Sequence, residues 1–174
     1  MGTQVTEKAP EFKGHAVMPN SEFKEIQLSA YKGKWVVLFF YPLDFTFVCP
    51  TEIKGFNELY GKFVDANAEV IGVSVDSVEC HLAWINHGLG KLNFPLLSDL
   101  TKNISRDYGV LLEHIGKSLR GTFIIDPDGN LRSAVVNDTD TGRNVEETLR
   151  TLQAMQTGDL TPCGWKPGEK TLGK

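Results

Sequence analysis

Trp35-Val36-Val37-Leu38-Phe39-Phe40-Tyr41, the loop and helical pattern that follow it through Ala66, and Glu69-Val70-Ile71-Gly72-Val73-Ser74-Val75 decide the fold. The two outer runs are continuously apolar and β-prone, the pattern of strands covered on both faces of a sheet. Between them, from Pro50 to Ala66, Ile53, Phe56, Leu59, Tyr60, Phe63 and Val64 fall at helical spacing and write an apolar stripe along one side of a helix. Strand, crossover helix and strand make a βαβ unit, whose strands are parallel.

Downstream, Val78 to Asn86 reads as a second helix. Thr101 to Tyr108, which follows the short apolar segment Phe94 to Leu97, reads as a third that opens on a capping Thr or Asp. Thr122 to Asp126 and Asn130 to Val136 are β-prone runs separated by the turn Pro127-Asp128-Gly129, hence an antiparallel hairpin. A last helix is expected from Val145 to Gln156. Beyond Gly158 the chain is rich in Pro and Gly and reads as a loose end or an arm ordered by a partner. The order of elements predicts an α/β fold, a central mixed sheet of thioredoxin type flanked by helices and followed by a C-terminal arm.

With 174 residues, 41% hydrophobic and 23% charged, the chain fits one folded domain and excludes global disorder. Its 22 acids outnumber its 18 bases for a net charge of -4, and no cluster of Lys and Arg offers a footprint for nucleic acid or anionic membranes. The longest apolar stretch falls far short of the roughly 20 residues that span a bilayer, and no charged leader precedes an apolar core, so a cytoplasmic location is expected. Met1-Gly2-Thr3-Gln4-Val5-Thr6 fits the loose N-myristoylation pattern, which so short a motif matches readily by chance. Three cysteines, an odd count without dense spacing, point to reactive thiols rather than to a disulfide framework.

Cys49 stands out among the three. Pro50 suits the first helical position, which puts Cys49 at the N-cap and Glu52 in the first turn. Backbone N–H groups and the positive end of the helix dipole stabilise a thiolate there. Ionisation alone raises the reactive fraction at neutral pH at most about 30-fold and weakens the nucleophile, so catalysis needs further groups that position a substrate and stabilise developing charge. Thr46 and an arginine are the candidates. Taken alone, a cysteine at a helix start is as readily a small buried apolar residue.

The flanking sequence is more specific. Pro42, Thr46 and Cys49 form a Pro-x-x-x-Thr-x-x-Cys pattern, and Phe40 to Glu52 closely resembles the active-site segment of the peroxiredoxins, in the typical two-cysteine branch of alkyl hydroperoxide reductases and thioredoxin peroxidases. The resemblance extends to Ala9-Pro10-Glu11-Phe12, Ser74-Val75-Asp76-Ser77, His81-Leu82-Ala83-Trp84, Gly88-Leu89-Gly90, Phe94 to Asp99, Arg120 to Asp126 and Gly142-Arg143. It implies a thiol-dependent peroxidase acting on hydrogen peroxide and organic hydroperoxides, with Cys49 as the peroxidatic nucleophile that becomes a sulfenic acid. Thr46 would hydrogen-bond thiolate and peroxide, Pro42 would shield the sulfur, and Arg120 would hold thiolate and peroxide together. Glu52 and Arg143 match a pair that orients that arginine. Without the resemblance, Arg120 before a strand reads as a surface charge.

The resemblance further implies a resolving cysteine in the C-terminal arm of a neighbouring subunit, an intersubunit disulfide, a homodimer and a decameric ring. Cys163 is the candidate, which divides the chain into a domain over 1–157 and an arm over 158–174. The common pattern is Cys-Pro-Ala-x-Trp, however, whereas Thr161-Pro162-Cys163-Gly164-Trp165 carries its cysteine two residues closer to the tryptophan. Cys80, at the start of the second helix, is a rival resolving thiol. Cys80 and His81 with His87 and His114 match no compact zinc spacing. The expected reductant is thioredoxin or a flavoprotein disulfide reductase, and no metal, haem or flavin cofactor is expected in the chain, because the thiols supply the redox equivalents. His87 replaces the first glycine of a Gly-Gly-Leu-Gly loop and no Tyr-Phe follows Cys163, so the resemblance implies resistance to overoxidation. A ring-forming holdase chaperone of the same fold is the non-enzymatic alternative.

Overall fold

The computed structural model describes residues 4–174. Met1, Gly2 and Thr3, and with them the acylation pattern, lie outside the described residues. In chain order the elements are β1 Lys13–Val17, β2 Phe23–Gln27, β3 Trp35–Phe40, α1 Cys49–Asp65, β4 Ala68–Ser74 and α2 Val78–Trp84, continued by a π-helical turn Ile85–Leu89. Then come β5 Leu96–Ser98, α3 Asn103–Asp107, β6 Leu111–Leu112, β7 Lys117–Ser118, β8 Arg120–Ile125, β9 Leu131–Asn137 and α4 Val145–Gln156.

Seven strands form one mixed sheet in the order β2-β1-β5-β4-β3-β8-β9. β3 runs parallel to β4, with Trp35 opposite Ala68 and Phe40 opposite Val73, and β4 runs parallel to β5. β8 closes antiparallel against β3 and pairs with β9 in the expected hairpin. β3 explains its own apolar run: Val37 and Phe39 point into a core shared with α1 and α4, while Val36, Leu38 and Phe40 point into a second core containing Phe12, Ile104 and Tyr108. Successive side chains of a strand face opposite ways, so a strand covered on both faces has no position for a polar residue. Phe56 of α1 stacks on Phe39 at 4.2 Å between ring centroids, which fixes the helix over the strand whose loop leads into it. Gly72 in β4 is a packing requirement, because a Cβ there would lie 2.8 Å from Leu96 and 2.9 Å from Phe39.

Two readings are corrected, and one hairpin lies outside the expected elements. The hairpin β1–β2 has no strong apolar signal, since it lies at the sheet edge with burial on few positions; its residues are held by the ladder from Lys13–Gln27 to Val17–Phe23. The third helix is shorter than Thr101 to Tyr108 and is capped from upstream: the Asp99 carboxylate accepts from the Ile104 and Ser105 N–H groups at 3.1 and 2.7 Å. The segment beyond Gly158 is ordered on its own chain. Leu160 N–H donates to Gly173 O and Leu172 N–H to Leu160 O, both at 2.8 Å, closing a loop. Trp165 is buried in it, and Arg150 of α4 donates to the Trp165 carbonyl at 2.9 Å.

Candidate active site

The loop between β3 and α1 delivers Cys49 to the base of the two-sided core. The predicted cap is shifted by one residue: Val48, at φ -81 and ψ -41, is the N-cap, Cys49 is the first helical residue and Pro50 the second. Val48 is already helical, so its carbonyl accepts from Thr51 and Glu52 N–H groups at 3.0 and 3.4 Å, and proline is tolerated throughout a first turn whose N–H groups lack partners. Cys49 is fully buried.

One guanidinium nitrogen meets the thiol. Arg120 Nη1 donates to Cys49 Sγ at 3.3 Å and to Glu52 Oε2 at 2.6 Å, while its Nε donates to the Thr139 carbonyl at 2.8 Å. Arg143 grips the same carboxylate: its backbone N–H and Nε donate to Oε1 at 2.9 and 2.8 Å, and Nη2 donates to Oε2 at 2.9 Å. Arg143 Nη1 reaches the Gly121 carbonyl at 2.8 Å, and its guanidinium lies 5.3 Å from the centre of the Phe39 ring. Burial pushes the Glu52 carboxyl up, but hydrogen bonds from Arg143 and the charges of both arginines outweigh it and hold Glu52 below the usual range. For Arg143, burial lowers the affinity for the proton more than the bond to Glu52 restores it. Two buried guanidinium groups against one carboxylate leave one formal positive charge in excess beside the sulfur, the sign that complements a thiolate.

Pro42 is buried. Thr46 is half-buried, and its hydroxyl donates to the Leu43 carbonyl at 2.9 Å rather than bonding to the thiol, which leaves its oxygen lone pairs as acceptors. Cys80 lies in the first turn of α2, its N–H held by the capping Ser77 at 3.2 Å. Burial first, then the charges of Asp44 and Asp76, push its thiol up to about 12. These charges oppose ionisation of Cys80, the rival resolving candidate. Cys163 is exposed on the folded-back arm whereas Cys49 is buried, and all three cysteines are free. His87 and His114 are exposed and His81 is buried; the ligand-type atoms that do converge, from Asp44, Asp76 and Cys80, form a different set from the histidine group weighed in the sequence.

Sequence reasoning missed the Thr139 carbonyl and the buried set Tyr41, Asp44, His81. The signal for the latter was present as polar groups at the ends of apolar segments, but nothing in their spacing announces the pairing.

A thioredoxin-like domain that seats a single buried thiol beneath an arginine defines the class of thiol peroxidases. The model described as the AhpC/TSA family matches residues 5–134, and that described as the C-terminal domain of 1-Cys peroxiredoxin matches residues 153–173. The chain belongs to the AhpC/TSA family of peroxiredoxins, and its activity is that of a thiol-dependent peroxide reductase. It is 56% identical to Peroxiredoxin-1 of Gekko japonicus, over 94% of this chain and 87% of that one. It is also 56% identical to the mitochondrial thioredoxin-dependent peroxide reductase of Homo sapiens, over 97% of this chain and 69% of that one. The crystal structure of reduced Plasmodium vivax 2-Cys peroxiredoxin superposes with a TM-score of 0.94 at 42% identity, covering 97% of this chain and 92% of the other.

Proposed function

We propose that Cys49 is the peroxidatic thiol of this peroxidase, and the contact that carries the reading is Arg120 Nη1 at 3.3 Å from Sγ. The thiolate attacks one oxygen of a hydroperoxide, the O–O bond breaks, and the electron pair leaves with the distal oxygen as water or an alcohol once protonated. Cys49 is oxidised to a sulfenic acid as the peroxide is reduced. Arg120, held by Glu52 and the Thr139 carbonyl, stabilises the charge that moves from sulfur to the departing oxygen. Thr46 offers lone pairs to the peroxide hydrogen, and Pro42 keeps water from the sulfur. Glu52 and Arg143 act through Arg120 by fixing its fork.

The sulfenic acid is resolved by a second thiol, and Cys163 is the proposed one, from the arm of a neighbouring subunit in a homodimer or a decameric ring of dimers. Exposure supports this role, because an exposed thiol is available to another chain. Thioredoxin, which the human relative's name specifies, or a flavoprotein disulfide reductase then returns the disulfide to two thiols. The cytoplasm is the proposed location. A one-cysteine cycle is the second reading, favoured by the match of residues 153–173 to the one-cysteine C-terminal model and by the displaced Cys163. One equivalent of peroxide separates the two: disulfide-linked dimers on a non-reducing gel, lost in Cys163→Ser, support Cys163, whereas a dimedone-reactive monomer in the unaltered protein supports the one-cysteine cycle.

A further inference from the structure

Where β3 ends, the chain buries a set of polar groups that the peroxide chemistry does not use. Asp44 and His81 are fully enclosed, with side-chain exposures of 1% and 0%, and His81 Nδ1 lies 2.7 Å from Asp44 Oδ2. Asp44 Oδ1 accepts from the Tyr41 hydroxyl at 2.8 Å and from Ser74 at 3.4 Å. The Asp44 backbone N–H donates to Asp76 Oδ2 at 2.8 Å. His81 Nε2 faces the Leu97 carbonyl at 3.3 Å, so both ring nitrogens have a polar partner. Tyr41 just beyond β3, Ser74 of β4 and His81 of α2 thus converge on one carboxylate, with Leu97 of β5 behind His81, and buried polar groups so fully partnered resist displacement.

What that carboxylate fixes is the loop to Cys49. Leu43, its neighbour, supplies the carbonyl to which the Thr46 hydroxyl donates. Between Asp44 and Thr46, Phe45 sits at φ 56, a left-handed conformation that a bulky side chain leaves unless its surroundings hold it there. We propose that His81 and Asp44 are a positioning pair: they clamp the loop so that Phe45 keeps this conformation and Thr46 stays where a peroxide can meet it. The inference rests on the reading of Thr46 as a peroxide ligand. His81 touches neither Cys49 nor Arg120 and acts through Thr46.

The test compares two reactions of reduced Cys49, oxidation by hydrogen peroxide followed by stopped-flow and capture by iodoacetamide followed by peptide mass. Alkylation needs the thiol but no hydrogen bond accepted by Thr46. His81→Phe should slow the peroxide reaction about 10- to 100-fold and leave alkylation equal or faster. His81→Asn, which keeps a donor to Asp44, should recover the rate to within about threefold of the unaltered protein. In a Thr46→Val background His81→Phe should cost nothing further. Should His81→Phe fail to fold, Asp76→Ala, at a half-buried position, removes the acceptor of the Asp44 N–H and should slow peroxide alone in the same sense. An unchanged peroxide rate in a folded variant, equal losses in both reactions, or full additivity with Thr46→Val overturns the inference. A silent Thr46→Val overturns the reading of the site itself, and the inference with it, whereas a slow Thr46→Val beside a fast His81→Phe removes the inference alone.

Discussion

Cys49 and Cys80 both stand in the first turn of an α-helix, one at the start of α1 and the other at the start of α2, and they face opposite charge. Around Cys49 the side chains sum to one positive charge in excess, from Arg120 and Arg143 against Glu52. Around Cys80 they are Asp44 and Asp76, and with burial they push the thiol up to about 12. The backbone offers both cysteines a helix N-terminus, whose dipole is worth about 0.3 to 1 kcal/mol when exposed. Full charges at hydrogen-bond distance in a closed site outweigh that. A helix start therefore makes a thiol accessible to activation, and the neighbouring side chains decide whether it is activated or silenced.

The most severe way to break this contrast is to remove each sulfur in turn. Cys49→Ser should abolish peroxide consumption with any dithiol reductant, and Cys80→Ser should retain it within about twofold, as expected for a substitution away from the reacting atoms. Peroxide consumption at the unaltered rate by the Cys49→Ser protein would remove the assignment of the peroxidatic thiol. Next in size, Arg120→Met keeps the stem but removes the donor that meets Sγ. The second-order rate with hydrogen peroxide should fall about 10²- to 10³-fold, the loss expected for one donor aimed at developing charge. A fall smaller than tenfold would show that excess positive charge is not what separates Cys49 from Cys80.

Glu52 sharpens the comparison from the side of stability. Removing one partner from a buried ion pair costs about 3 to 5 kcal/mol, because the remaining charges are left without compensation, and Glu52→Gln leaves two guanidinium groups facing each other. Its midpoint in urea should fall accordingly. The same carboxyl gives a pH signature: its folded-state pKa is held below that of the unfolded chain, so its contribution is complete above the ordinary glutamate range near about 4.3 and is lost as pH falls through the folded value. Urea unfolding at a series of pH values below that range should show the loss in the unaltered protein and not in Glu52→Gln.

How much of this was open to a reader of the sequence follows the same division between backbone and surroundings. The β3–α1–β4 unit was legible because a strand covered on both sides must be apolar at every position, and Trp35 to Phe40 is. β1 and β2 were not, because strands at the end of a sheet with few buried positions carry no such constraint. The helix start at Cys49 was legible to within one residue, since Pro50 fits any position of a first turn. The meeting of Arg120 and Arg143 on Glu52 came from the resemblance to a family alone, for residues 52, 120 and 143 come together only once the sheet is assembled. The Asp44–His81 contact spans 37 residues, and no spacing in the sequence announces it.

The smallest expected effect is also the most direct statement of the contrast. Asp76→Asn keeps an oxygen for the Asp44 N–H but removes one of the two charges that oppose ionisation of Cys80. In the unaltered protein, alkylation of Cys80 by iodoacetamide should climb with pH throughout the accessible range, because its thiol titrates only near about 12. The substitution should shift that climb to lower pH and raise the Cys80 rate at pH 8 about 3- to 10-fold, a change of about half to one pKa unit. Asp44 and burial remain, so the thiol stays weakly ionised. Placed in a Cys49→Ser background, the same substitution should leave peroxide consumption absent although Cys80 has become more reactive toward an alkylating agent. The reason is that ionisation supplies only the nucleophile; cleavage of the O–O bond also needs a donor where negative charge arrives, and α2 has acids where α1 has Arg120. Peroxidase activity appearing at Cys80 in that double variant would mean that thiol ionisation suffices, and that the arginine beside Cys49 serves only to ionise it.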